Sequence, residues 1–403
     1  MCNENWRADT AKYDLDRDAE CKPPFLAWAL LWGLGIVVPT VSIFVDIFWK
    51  SPFHILGRDF SNLYVAGRLA IEGRTYCIFD VWCFRGAMIN HIGLVAQQNY
   101  SYPPHALLIA VPFATLPYYA SLLTWTVLGS AFFMWAASLY LPRGIKPWMA
   151  IATPAALINI WNGHYGFLFG GLWLLSFRLI KSRPERSGIL AGLMTFKPHL
   201  GLFIAILMAS RLRAFLAAVG TTAAVVALSA LIFGPSSWFE FLTTTFDQQV
   251  NILNRGSNEF YFMMMPSAYV TYGRTFGLLA QAIYALAAIM LLIKYRKLDP
   301  FCAATATFVV MPYAFNYDMT VACLGIAVLL YLEWGTLSWP ARITLSLAFL
   351  VPELTYVGKV VPLLIPPILL IALWLQLTRS GSGCVHEHSS RDRAPPPMLI
   401  ASV

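Results

Sequence analysis

The feature that most constrains this chain is where its charged residues are absent. Residues 23–45 contain no Asp, Glu, Lys or Arg, and an apolar run of that length spans the hydrocarbon core of a bilayer, which needs roughly 20 residues of helix. Further charge-free windows cover 86–142, 147–177, 214–239, 275–293, 300–317, 319–332 and 360–378. Two more apolar stretches, 187–210 and 343–357, are interrupted by Lys197 and Glu353. Only 12% of the chain is charged, against about 25% in a soluble domain. A soluble globule of this size could not cover itself with so few charges. The expected fold is an all-α integral membrane protein, a polytopic bundle of 10 to 12 transmembrane helices.

Three kinds of segment fall outside the apolar windows. Residues 1–24 mix acids and bases without a basic n-region and cleavage site, so no signal peptide is expected; the loop charges below make them a cytoplasmic N-terminal segment. Loops 50–102 and 235–274 read as outer loops of a membrane domain covering 25–378, and helical spacing over 59–73 predicts a short helix along the membrane surface. Residues 379–403 have the composition of a disordered cytoplasmic tail.

Twelve full spans put Arg143, Lys146, Lys181, Arg183 and Arg186 outside, against the preference for cytoplasmic basic loops. Ten spans, with 103–117 and 187–210 re-entrant, place all the short basic loops inside. Both arrangements put both termini inside and the two long loops outside.

The net charge of +8 sits in short juxtamembrane clusters that suit anionic lipid headgroups, with no continuous basic stripe to fit a nucleic acid. Seven scattered cysteines lack metal-ligand spacing, and Cys77 and Cys83 in the first outer loop are either a disulfide or two free thiols. His386, Glu387 and His388 lie in the tail and make no credible metal site, and no Gly-rich phosphate loop or other soluble-cofactor motif is present. No cofactor and no metal are expected.

Ionisable residues in or beside hydrocarbon are costly, which makes them the first functional candidates. Asp59 follows the first span in GRDFSNLY, with Arg58 beside it and Tyr64 about one turn on. It is either an acid complementing a helix N-terminus or a general base. Tyr102 and His105 open the next membrane segment through Pro103 and Pro104, whose presence at a helix start is ordinary. Asn162-Gly163 reads as a tight interhelical turn, which leaves His164 unexplained. Lys197, before Pro198, lies too deep for easy snorkelling if its segment spans. It either pairs with Asp318 or a backbone carbonyl, or holds a phosphate. Asn316-Tyr317-Asp318 is either a polar turn or part of the same site.

At these residues the chain resembles glycosyltransferase family 87, the polyprenyl-phosphate-mannose-dependent transferases of the C-type superfamily. The resemblance is carried by Asp59, Phe60, Tyr64, Gly73 and Tyr76, then by Tyr100 to Pro104 with Leu116 and Pro117. It continues through Gly163, followed here by His164 where the pattern has Gln, through Gly188 to Pro198 with its Lys-Pro, and through Pro312, Tyr313, Tyr317 and Asp318. The resemblance implies a multi-helix membrane domain with Asp59 as catalytic base on the first outer loop. It also implies a polyprenyl-phosphate sugar donor, a lipid or envelope-glycan acceptor, inversion at the anomeric carbon, and an active site on the outer side of the cell membrane. Arg58, Tyr64, Tyr102, His105, His164, Lys197, Asn316 and Asp318 are the expected substrate contacts. The alternative of another class is a transporter or flippase for a lipid-linked sugar. Such folds often repeat a broken helix in both halves, and the Lys197 segment has no counterpart in the second half.

Overall fold

The computed structural model describes residues 22–45, 48, 55–93, 99–142, 144–245, 264–357 and 360–379. Nearly all of residues 1–24 and 379–403, and the centre of the 235–274 segment, lie outside the described residues. Among the described residues every regular element is a helix.

The principal helices, in chain order, are α1 (Phe25–Val45), α2 (Arg58–Ile71), α3 (Val81–Ile92), α4 (Leu107–Ala114), α5 (Tyr118–Ser138), α6 (Pro154–Asn162), α7 (Gly166–Leu179) and α8 (Pro184–Leu193). They continue as α9 (Leu202–Ala209), α10 (Leu212–Phe233), α11 (Gly273–Tyr295), α12 (Pro300–Val310), α13 (Thr320–Glu333), α14 (Trp339–Leu354) and α15 (Ile365–Arg379). Among the described residues, five segments are long and apolar enough to cross a membrane: Phe25–Val45, Tyr118–Ser138, Leu212–Phe233, Thr275–Tyr295 and Val361–Arg379. Their apolar side chains lie largely at the surface, as in α10, where Leu231 is 83% exposed. Water would not tolerate such a face, and lipid does. The chain is a helical membrane protein.

The remaining apolar helices are shorter, and α7, α12 and α13 are buried along almost their whole length. They form the core around which the long helices stand. Their starts follow local rules. Pro154 and Pro300 occupy first-turn positions, where the missing N–H costs nothing. Asp299 accepts from Phe301 N and Cys302 N, both at 2.9 Å, and caps α12. Close packing relies on small residues: a Cβ on Gly188 of α8 would stand 2.1 Å from the Ala214 carbonyl of α10, and one on Gly67 of α2 would stand 2.8 Å from the Ala110 carbonyl of α4.

Helix α2 forms where the helical spacing over 59–73 predicts one, and it is packed within protein. Phe60 to Gly67 and Leu69 are all buried, because α3, α4 and α5 cover the helix. Its amphipathic pattern marks a packed face on protein as readily as one on lipid. Cys77 and Cys83 are joined in a disulfide, which ties the turn Tyr76–Phe79 to α3. The apolar stretch around Lys197 is indeed broken. Between α8 and α9 the chain forms two 3-10 turns, Met194–Phe196 and Pro198–Gly201, with Lys197 between them in a non-helical conformation.

Candidate functional site

Four irregular segments converge inside the bundle: the start of α2, the turn between α6 and α7, the break at Lys197, and the 3-10 turn Asn316–Asp318. Each is irregular for a local reason. Pro198 has no N–H to continue a helix. Gly163 takes a left-handed conformation, φ 68° and ψ 37°, which lets α6 stop and α7 restart at once. Gly57 does the same before α2, and its N–H donates to Trp161 O at 3.0 Å. The Gly163 turn sits so close to α2 that a Cβ there would lie 2.5 Å from that of Phe60. The turn that carries His164 is thereby held against Phe60 of α2.

Two asparagines brace the irregular backbone, as buried polar backbone requires. Asn159 donates to Ala155 O at 2.8 Å and to Tyr317 O, and accepts from Gly166 N at 2.9 Å. Asn316 donates to Pro352 O at 2.8 Å and to Thr355 Oγ1 at 3.1 Å. Sequence reasoning missed Asn159, although an amide inside an apolar helix four residues before a glycine is a usable signal.

Lys197, 2% exposed, is at the centre. Its ammonium donates to Asp318 Oδ1 at 2.6 Å and lies 3.2 Å from His164 Nδ1. His164 Nε2 is 2.9 Å from the Tyr102 hydroxyl. Tyr317 packs on His164 with ring centroids 3.7 Å apart. The ammonium is 5.1 Å from the Tyr317 ring centroid and 6.0 Å from those of Tyr102 and Tyr165, within cation–π range. Lys197 therefore does pair with Asp318, one of the two readings its sequence position allows, and it does so inside a cluster of polar groups.

Asp59 stands at the edge of this cluster. Its Oδ1 is 3.6 Å from Arg58 Nε, and its Oδ2 has no hydrogen-bond partner among the described residues. Burial holds the carboxyl above the ordinary carboxylate range, while Arg58 beside it and Lys197 beyond pull it back. The second oxygen of Asp318 is likewise without a partner among the described residues. Two carboxylates, an ammonium, a guanidinium and several phenols thus share one buried region, with acceptor oxygens unspent.

Not every expected contact joins the cluster. Tyr64 donates to Leu116 O at 3.1 Å and packs edge-on against Tyr118, linking α2 to the turn before α5. His105 stacks on Trp238 and lies 3.2 Å from Thr195 Oγ1, two residues before Lys197. Asn316 is the brace described above. Arg58, Asp59, Tyr102, His164, Lys197 and Asp318 are brought together.

An apolar groove of ≈ 380 Å³ runs from this region between α4, α5, α7 and α8. Phe113, Trp125, Phe132, Phe167, Leu172 and Phe196 line it, and among the described residues His164 is the one titratable residue on its wall. The arrangement can take an apolar chain in the groove and an anionic head beside Lys197.

The model of Glycosyltransferase family 87 matches residues 100–315, just over half the chain. The match takes in Tyr102, His105, His164 and Lys197, begins after Asp59 and stops short of Asn316 and Asp318. No curated protein and no solved structure matches the chain.

Proposed function

The chain belongs to glycosyltransferase family 87, and from that premise we propose that it moves a hexose, mannose, from a polyprenyl phosphate to a lipid or envelope-glycan acceptor, with inversion. Asp59 is the general base. The observation that carries this reading is a buried ammonium 3.2 Å from His164, which lines an apolar groove, with unspent carboxylate oxygens on Asp59 and Asp318. An isoprenoid chain fits the groove by its apolarity, and its phosphate fits the Lys197 end by charge.

In this reaction the acceptor hydroxyl oxygen attacks the anomeric carbon while its proton passes to the free oxygen of Asp59. The bond between the anomeric carbon and the phosphate oxygen breaks, and its electron pair leaves with the polyprenyl phosphate. Attack opposite to departure inverts the configuration. A phosphate leaves readily, so stabilising its growing charge matters more than protonating it. Lys197, with Arg58 nearby, supplies positive charge in a poorly hydrated region where it is effective. Asp318 holds Lys197 in place, and the phenols of Tyr102 and Tyr317 complete the wall.

Within the same proposal the membrane domain spans 25–378 with ten to twelve crossings, in the manner of the C-type transferases. Loops 50–102 and 235–274, and the site, face the outside of the cell membrane, and residues 1–24 and 379–403 lie inside.

The test is transfer by purified protein in lipid nanodiscs, with polyprenyl-phosphate mannose as donor and extracted membrane lipids as acceptors. Wild type is expected to form a mannolipid of inverted configuration. Asp59→Asn is expected to insert and fold normally while losing at least about 100-fold in rate, the scale of a general base. An Asn variant as active as wild type overturns the role of Asp59. Movement of the lipid-linked sugar across vesicle membranes with no transfer product overturns the transferase reading in favour of a flippase.

A further inference from the structure

The hydrogen-bond chain from Asp318 to Tyr102 has a direction, and the direction gives His164 a task. An ammonium has only donors, so the 3.2 Å contact between Lys197 Nζ and His164 Nδ1 requires Nδ1 to accept. A proton on Nδ1 would face the ammonium head-on. The ring is therefore neutral with its hydrogen on Nε2, and Nε2–H donates to the Tyr102 oxygen at 2.9 Å. Tyr102 cannot then spend its own hydrogen on His164, and its hydroxyl makes no other hydrogen bond among the described residues. That O–H is left to donate to a third group.

The setting says what kind of group this is. His164 lines the apolar groove, and the Tyr102 ring faces the Lys197 ammonium. Both Asp59 and Asp318 lie within electrostatic reach of Tyr102. A group that takes a hydrogen here is an oxygen acceptor bound between the groove and the ammonium. We infer that His164, locked in its Nε2–H tautomer by Lys197, is a positioning residue that turns the Tyr102 hydroxyl into a hydrogen-bond donor for a phosphate oxygen of the bound donor. The assignment of the acceptor rests on the transferase reading above, whereas the tautomer lock does not. The lock also has a chemical equivalent. A Gln side chain at 164 offers a carbonyl to Lys197 and an N–H to Tyr102, whereas Leu offers neither.

Two measurements decide it. Protein labelled with ¹⁵N-histidine in nanodiscs, with the His164 signals identified by their loss in His164→Gln, is expected to show an unprotonated Nδ1 and a protonated Nε2. A proton on Nδ1 overturns the lock. In transfer assays with polyprenyl-phosphate mannose, His164→Leu and Tyr102→Phe are each expected to lower kcat/KM roughly ten- to 100-fold, the scale of a hydrogen bond to a charged group. The double variant should lose no more than the worse single one, and His164→Gln should stay within about threefold of wild type. That rescue separates positioning from mere packing, because Leu preserves apolar bulk and Gln preserves polarity. Losses that multiply in the double variant, or a Gln variant as poor as Leu, overturn the assignment. A wild-type protein that transfers nothing sinks the transferase reading instead, and the ¹⁵N result still decides the lock.

Discussion

Lys197 invites substitution, but removing it alone confuses two effects that the structure separates. Its ammonium is 2.6 Å from Asp318 Oδ1, with side-chain exposures of 2% and 0% for the two residues. Deleting one partner of such a pair leaves an uncompensated buried charge, at a cost of about 3–5 kcal/mol. That is a large share of a typical folding free energy of about 5–15 kcal/mol. Lys197→Met and Asp318→Asn should therefore each lose stability, whatever Lys197 does for a substrate. The double variant removes both charges. Its remaining cost is the orphaned Nδ1 of His164, about 1–3 kcal/mol for an unsatisfied buried polar group, so it should be more stable than either single variant. SDS-titration unfolding in mixed micelles reads these differences, and donor binding is measured on the same samples with a short-chain polyprenyl-phosphate mannose. The double variant is expected to fold yet bind donor at least about tenfold more weakly. If it folds and also binds and transfers like wild type, the pair serves only to hold the fold together and the phosphate role of Lys197 is wrong. If the single variants lose under about 1 kcal/mol, the ion pair itself is refuted.

Three further outcomes are expected. A base must be ionised to act, and burial raises the Asp59 pKa, so the rate should rise with pH through a limb lying above the ordinary carboxylate value of about 4; a pH–rate profile flat down to that value contradicts the role. Asn159→Leu strands Gly166 N and Tyr317 O inside the bundle and should cost about 2–6 kcal/mol, taking about 1–3 for each stranded group; thermal stability in detergent within the scatter of wild type contradicts the bracing role. Gly188→Leu drives a side chain into the α10 backbone and should sharply reduce recovery of monodisperse protein, whereas Gly220→Leu, with open space around its Cβ position, should not.

Much of this protein is legible in its sequence because lipid is an unforgiving solvent. Charge cannot sit in hydrocarbon without compensation, so the windows free of Asp, Glu, Lys and Arg mark the apolar segments directly. The residues that violate the pattern, Lys197 above all, mark where the fold must compensate. The Lys197-Pro198 break and the Asn162-Gly163 turn are equally local in origin, since a missing N–H and a left-handed glycine act on their own few residues. The family resemblance also rests on short linear motifs, and it carries through to the family match over 100–315.

Assembly was decided only by the tertiary structure. The sequence put Lys197 and Asp318 on a short list but left open whether the lysine was paired; their contact spans 121 positions of chain. Tyr64, His105 and Asn316 looked as eligible as His164, since residue type and window position are the same kind of signal for all of them. Packing sent the first two to Leu116 and Thr195 and made the third a brace. The burial of α2 was not legible either, because an amphipathic helix reads alike whether lipid or protein covers it. Periodicity and charge are properties of a segment and are fixed by its own solvent, whereas which polar groups meet depends on how many helices close around one point.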